Sequence, residues 1–173
     1  MARNVEIKAR IDGDVDALTR KAAALASSGP VEIAQDDTFF HCPSGRLKLR
    51  AYSDTEGELI HYRRSDEVGP KTSDYVRSPT TQPHTLREAL TRGYGQAGRV
   101  VKQRTVYLVG RTRVHLDRVV GLGHYLELEV VLTDDEDEAA GVQEAHALMT
   151  ALGIELAQLV DAAYVDLLAR ASA

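Results

Sequence analysis

In segment after segment of this chain, charged residues fall at every second position. That is the spacing by which a β-strand sends successive side chains to opposite faces. Val5-Glu6-Ile7-Lys8-Ala9-Arg10 alternates strictly, and Arg46-Leu47-Lys48-Leu49-Arg50 places three cations on one side. Lys102-Gln103-Arg104 and the run from Arg111 to Asp117 repeat the pattern, while Leu126-Glu127-Leu128-Glu129-Val130 sets two carboxylates on one face. Each segment therefore has an apolar face and a charged face. Cations dominate the middle segments and carboxylates the first and last. If the charged faces turn toward one another, they enclose a basic cavity with acidic groups, a composition suited to a polyphosphate and its divalent metal. The competing arrangement is an open sheet with solvated cross-strand ion pairs. Its apolar faces would then have to supply the whole core on one side.

The chain has 173 residues, which fits one domain over 1–173 with a core that needs no disulfide. The net charge of −5 argues against a nucleic-acid-binding face, which usually makes a domain basic. It allows an anionic ligand, because cations can be gathered in one cavity under an acidic exterior. The single Cys42 offers neither a disulfide framework nor a cysteine zinc motif. No apolar stretch approaches the roughly 20 residues that span a bilayer, and the N-terminus lacks the apolar core of a signal peptide. The expectation is a cytoplasmic protein with no membrane and no nucleic-acid partner.

Strands are expected at residues 4–11, 31–41, 46–52, 58–64, 71–78, 99–110, 111–119 and 124–132. Pro43-Ser44-Gly45 makes 36–41 and 46–52 a hairpin, and residues 66–70 read as a loop. Helices are expected from Asp14 to Leu25, ended by Ser27-Ser28-Gly29-Pro30, over 85–92, from the acidic run at 134–138 to Gly153, and over 157–170. Pro79 to Pro83 breaks the chain, and Gly93, Gly95 and Gly98 form a flexible connection. Hairpin order with few long crossovers predicts an α+β fold: a closed, antiparallel, eight-stranded β-barrel with flanking and C-terminal helices.

Asn4-Val5-Glu6-Ile7-Lys8 resembles the N-terminal Glu-x-Glu-x-Lys signature of the CYTH superfamily, which includes class IV adenylyl cyclases and thiamine triphosphatases. Asp37-Thr38-Phe39-Phe40, Gly45 to Arg50, Tyr62 to Arg64, Gly69-Pro70-Lys71, Lys102 to Arg104, Arg113 to Asp117 and Gly123 to Val131 keep the order of that family. Nearly the whole chain is covered, about 4 to 168, and the likeness is nearest to bacterial class IV cyclase-like chains. The resemblance implies a triphosphate tunnel open at both ends. By position, Lys8, Arg46, Lys48, Arg50, Arg64, Lys71, Lys102, Arg104 and Arg113 would face phosphate oxygens, and Glu6, Asp117, Glu127 and Glu129 would bind Mg²⁺ or Mn²⁺. Lys8, Arg113 and His115 are the catalytic candidates. Asn4 departs from the signature and removes one anionic ligand.

Alternation turns Arg63 away from Arg64, toward the surface or rim. It allows Ser73 and Tyr75 to share the lumen with Lys71, and Tyr164 and Asp166 either cap one end or simply pack a helix. The expected partners are a small-molecule triphosphate or other phosphorylated substrate and a second copy of the chain in a homodimer. Three activities fit: cyclisation of ATP, placed first; hydrolysis of a triphosphate such as thiamine triphosphate or inorganic triphosphate; or a tunnel reused for another phosphate ligand.

Overall fold

The computed structural model of the chain describes residues 2–64 and 69–173. Eight strands carry the alternating segments: β1 (Ala2–Arg10), β2 (Ser28–Phe40), β3 (Arg46–Ala51), β4 (Gly57–Arg64), β5 (Lys71–Thr80), β6 (Gln96–Val109), β7 (Thr112–Val119) and β8 (Gly123–Leu132). Four α-helices join them: α1 (Val15–Leu25), α2 (Pro83–Tyr94), α3 (Glu138–Leu152) and α4 (Tyr164–Ala171). All strand pairs are antiparallel, in the order β1-β5-β4-β3-β2-β6-β7-β8, and β8 pairs with β1 to close the ring. Closure gives each of these strands a partner on both sides.

The register turns the charged parity inward. Glu6 and Lys8, Lys48 and Arg50, Lys102 and Arg104, and Glu127 and Glu129 all line the interior. The apolar parity faces out, so the principal core lies outside the ring. Val5, Ile7 and Ala9 of β1 join Val114, Leu116, Leu126, Leu128 and Val130 of β7 and β8 beneath Leu18 and Ala22 of α1 and Ala145, Leu148, Met149 and Leu152 of α3. Burying these aliphatic chains supplies about 1.5–3 kcal/mol each, less the entropy of ordering them. Local signals set the helix ends. Asp14 and Asp137 cap α1 and α3 by accepting from Ala17 N and Ala139 N, and Gly153 takes a left-handed φ of 74° where α3 stops.

Four boundaries differ from the sequence expectation. β2 begins at Ser28, because Ser27 to Val31 pairs with the end of β6 through a register shift; the Gly-Pro pair marks a bulge, not a loop. β5 runs on through Pro79, near its end, where a missing N–H costs little. Gly98 lies inside β6, and a Cβ there would stand 2.4 Å from Val165 Cγ2, so its role is close approach. The helix expected over 157–170 is broken. A 3₁₀ turn (Leu156–Gln158) comes first, Leu159 then bridges Ala9, and Val160 N donates to Lys8 O at 2.9 Å. Backbone groups committed to β1 cannot also make a helical ladder, so α4 starts only at Tyr164. Residues 66–68 of the expected loop lie outside the described residues. Among the described residues, no helix is long and apolar enough to cross a membrane.

Candidate functional site

The ring encloses a cavity of about 290 Å³. One end is covered. Ala163 and Tyr164 line its floor, and Val165, Leu167 and Leu168 pack with Phe39, Val100, Val119 and Tyr125 in a second apolar cluster. The tunnel is therefore closed on that side, where the resemblance implied two openings. At the other end the lining reaches solvent, with the Arg77 side chain 51 % and the Arg113 side chain 32 % exposed.

Cations cluster around one buried carboxylate. Asp37, reaching in from β2, accepts from Arg50 Nε and Nη2 at 2.7 Å each and from Lys48 Nζ at 3.2 Å, and Lys102 Nζ stands 3.9 Å away. Burial alone would raise its pKa, but Arg50 and Lys48 outweigh burial and hold the carboxyl well below its usual range. Lys102 is driven down by burial and by Arg104, and Lys48 by burial and by Arg50. Three cations around one carboxylate leave an excess of positive charge that an anion would relieve.

On the facing wall the carboxylates collect. Glu6 is the direct cross-strand partner of Glu129, and Lys8 that of Glu127. Burial raises the Glu6 pKa, Glu129 and Glu127 raise it further, and it reaches about 6. Glu127 keeps its charge because Arg104, at 3.2 Å, and Lys8, at 3.7 Å, overcome its burial. Burial lowers Lys8 to about 8, and its ammonium sits 4.1 Å above the Tyr164 ring while donating to Ala162 O at 3.1 Å. Glu129 accepts from Asn4 Nδ2 and, at 3.0 Å, from Arg113 Nε. His115 lies between the two, with Nδ1 3.9 Å from Glu127 and Nε2 3.7 Å from Glu129. Burial and Arg104 lower its pKa, which keeps the ring neutral.

Of the sequence candidates, Glu6, Lys8, Lys48, Arg50, Arg64, Lys102, Arg104, Arg113, His115, Glu127 and Glu129 share this cavity. Three stand apart from it. Arg46 reaches beyond the covered end to Asp166 of α4, at 2.6 Å. Lys71 lines a smaller pocket beside Glu6, Lys8 and Arg64 and donates to Asp161 O at 2.9 Å. Asp117 is 1 % exposed, and its oxygens take both Arg104 nitrogens at 2.7 Å and the Tyr164 hydroxyl at 2.9 Å. Arg111, although in phase with Arg113, sits in the turn before β7 and pairs outside with Glu136 and Glu144. Arg63 faces outward and donates to Ser44 Oγ at 2.6 Å.

Sequence reasoning missed Asp37 and Gln35 as site residues, although both share the inward parity of β2. It also missed Glu58, which accepts from Tyr52 Oη at 2.6 Å and from Arg77 Nε at 2.7 Å near the mouth. Ser73 and Tyr75 line the cavity, as alternation allows.

A CYTH domain model matches residues 2–164. The chain belongs to the CYTH family. It is 30 % identical over 168 residues to the adenylate cyclase CyaB of Aeromonas hydrophila, covering 92 % of this chain and 85 % of that protein. Its fold matches the PH1012 protein of Pyrococcus horikoshii, with a TM-score of 0.82, 22 % identity and coverage of 95 % and 98 %. It also matches HpAC1 from Hippeastrum, described as a putative adenylyl cyclase with dominant triphosphatase activity, with a TM-score of 0.67, 17 % identity and coverage of 98 % and 96 %. The proteins it resembles thus include an adenylate cyclase by sequence and, by fold, a putative cyclase with dominant triphosphatase activity.

Among the described residues, no three His, Cys, Asp or Glu side chains stand close enough to hold a metal ion unaided. The crowding of Glu6, Glu127 and Glu129, which raises the Glu6 pKa, still fits a hard divalent ion that completes its shell with phosphate oxygens and water.

Proposed function

We propose that this protein is a soluble, cytoplasmic, metal-dependent enzyme that cleaves a linear triphosphate in its cavity, and that its reaction is cyclisation of ATP to cyclic AMP and pyrophosphate. The observation that carries the reading is the separation of charge across one enclosed space. Lys48, Arg50 and Lys102 stand on one wall and Glu6, Glu127 and Glu129 on the other, with Arg104 bridging to Glu127 at 3.2 Å. A chain of phosphates bridging the two walls would meet guanidinium forks and ammonium donors on one side. A Mg²⁺ or Mn²⁺ ion held from Glu6 and Glu127 would neutralise phosphate oxygens as charge moves to the leaving group. The likeness to an adenylate cyclase supports the choice of cyclisation.

In that reaction the ribose 3′-oxygen attacks the α-phosphorus and loses its proton. The bond from the α-phosphorus to its bridging oxygen breaks, and pyrophosphate leaves with the electron pair. Lys8 and Arg113, at opposite ends of the carboxylate wall, stabilise the charge that develops on the oxygens. His115, neutral and lining the cavity, accepts the nucleophile's proton on its ring. The covered floor supports a second reading, hydrolysis, because it confines the phosphates to a dead-ended space that a water molecule can share.

Incubating purified protein with ATP and Mn²⁺ and separating the products tests both. Cyclic AMP with pyrophosphate is the expected result. ADP with orthophosphate would transfer the assignment to hydrolysis. Failure to turn over ATP, thiamine triphosphate and inorganic tripolyphosphate alike would overturn the enzyme reading.

A further inference from the structure

Glu129 has both oxygens engaged before any ligand arrives. Oε1 takes the Asn4 amide and Oε2 takes Arg113 Nε at 3.0 Å, with His115 Nε2 at 3.7 Å beyond it. Asn4 is fully buried, and its own Oδ1 is enclosed without a hydrogen-bond partner. An amide could satisfy that oxygen by turning it toward a donor. Here it leaves the oxygen unsatisfied, which is unfavourable for a buried acceptor, and commits its N–H to Glu129. A carboxylate at position 4 could not do this, because it has no donor and would repel Glu129. Glu6 differs from Glu129: among the described residues its ion pair is with Arg64, at 3.5 Å, longer than a direct hydrogen bond. Glu127 also keeps room, since Arg104 at 3.2 Å bonds one oxygen and Lys8 at 3.7 Å stands off the other.

We infer that Asn4 is a positioning residue that withdraws Glu129 from metal coordination and makes it the anchor of Arg113, so that the cavity takes a single divalent ion from Glu6 and Glu127. The inference rests on the triphosphate-plus-metal reading above and specifies how that site divides its labour. Glu129 then serves the anion by holding the Arg113 fork at the mouth, and Glu6 and Glu127 serve the cation.

The test is binding. Full-length protein is titrated with Mn²⁺ in the presence of inorganic tripolyphosphate, with free Mn²⁺ read by electron paramagnetic resonance, and tripolyphosphate affinity is measured separately by calorimetry. The wild type should take one Mn²⁺ per chain. Glu127→Gln should weaken Mn²⁺ binding at least tenfold. Glu129→Gln should leave Mn²⁺ affinity within threefold while weakening tripolyphosphate severalfold through the loosened Arg113. Asn4→Asp should add a second Mn²⁺, and Asn4→Gln, which keeps the donor, should not. Two Mn²⁺ per wild-type chain, or equal Mn²⁺ losses in Glu127→Gln and Glu129→Gln, would overturn the inference and leave the enzyme reading standing. Absence of any Mn²⁺ or tripolyphosphate binding by the wild type would overturn both. If Asn4→Asp does not fold, the glutamate pair still decides the question.

Discussion

The Tyr164 hydroxyl donates to Asp117 Oδ2 at 2.9 Å, although the two residues lie 47 positions apart. This bond ties the first residue of α4 to β7 and fixes the floor of the cavity. It also explains why Asp117 lies outside the cavity lining. Its carboxylate braces Arg104 and Tyr164, two groups that do line the cavity.

Tyr164→Phe should therefore destabilise the protein by about 1 kcal/mol, since Asp117 keeps both Arg104 bonds and only one donor is lost. Tyr164→Ala should cost about 3–5 kcal/mol, because a fully packed ring leaves a cavity. Denaturant unfolding of the two variants checks the ratio, and equal losses would show that the ring does not pack as described.

Asp37 holds together cations that would otherwise repel one another. Asp37→Asn should destabilise the free protein by about 3 kcal/mol or more, as expected when a buried ion pair loses one partner. Tripolyphosphate should restore more of the lost melting temperature in this variant than it adds to the wild type, because an anion takes the place of the missing carboxylate. A thermal melt with and without tripolyphosphate measures both.

Cations inside the ring should matter more than those outside it. Arg50→Ala and Arg113→Ala should each weaken tripolyphosphate binding by about 1.5–3 kcal/mol, the scale of a hydrogen bond to a charged group. Arg63→Ala, which loses only a bond to Ser44, should change it by less than about 0.5 kcal/mol. Calorimetric titration of the three variants checks this, and equal losses would point to a diffuse surface field.

Lys8 has a pKa lowered to about 8 by burial, against its ordinary 10.5. It is charged below pH 8 and neutral above. Metal-free tripolyphosphate affinity should therefore fall as pH rises through 8. The stability of the free protein should move the other way. The folded state binds this proton less readily than the unfolded chain, so the destabilisation is complete below pH 8 and is relieved as pH rises from 8 toward 10.5. In Lys8→Met both contributions should vanish. An unchanged pH profile in that variant would assign the slope to another group.

Gly98→Ala should destabilise by about 1–3 kcal/mol, since the new methyl meets Val165 at 2.4 Å and α4 must shift. Combining it with Val165→Ala should recover part of the loss in a double-mutant cycle.

Much of the lining was legible because side-chain alternation is a local steric property of a strand. Once Glu6 and Lys8, Lys48 and Arg50, or Glu127 and Glu129 are in strands, each pair must share a face, whatever the rest of the chain does. Asp37 and Gln35 obey the same rule, yet nothing local distinguishes Asp37 from its neighbour Asp36 as the hub of three cations. Arg46, Lys71 and Asp117 also lie on the inward parity. Each is diverted by a partner far along the chain: Asp166, the Asp161 carbonyl, and the Arg104–Tyr164 pair.

The sequence by itself determined which face of each strand is apolar and which is charged, where the β2–β3 hairpin turns, and that the charges separate by sign along the chain. Period-two alternation and turn chemistry act between near neighbours, so no distant contact is needed to read them. Only the tertiary structure decided which strands distant in the chain stand side by side, and hence that Glu6 faces Glu129. It also decided that one end of the ring is covered, because Leu159 and Val160 join the end of β1 and leave helix to begin at Tyr164. Those outcomes depend on ring closure and on backbone groups finding partners more than a hundred residues away, which no local pattern encodes.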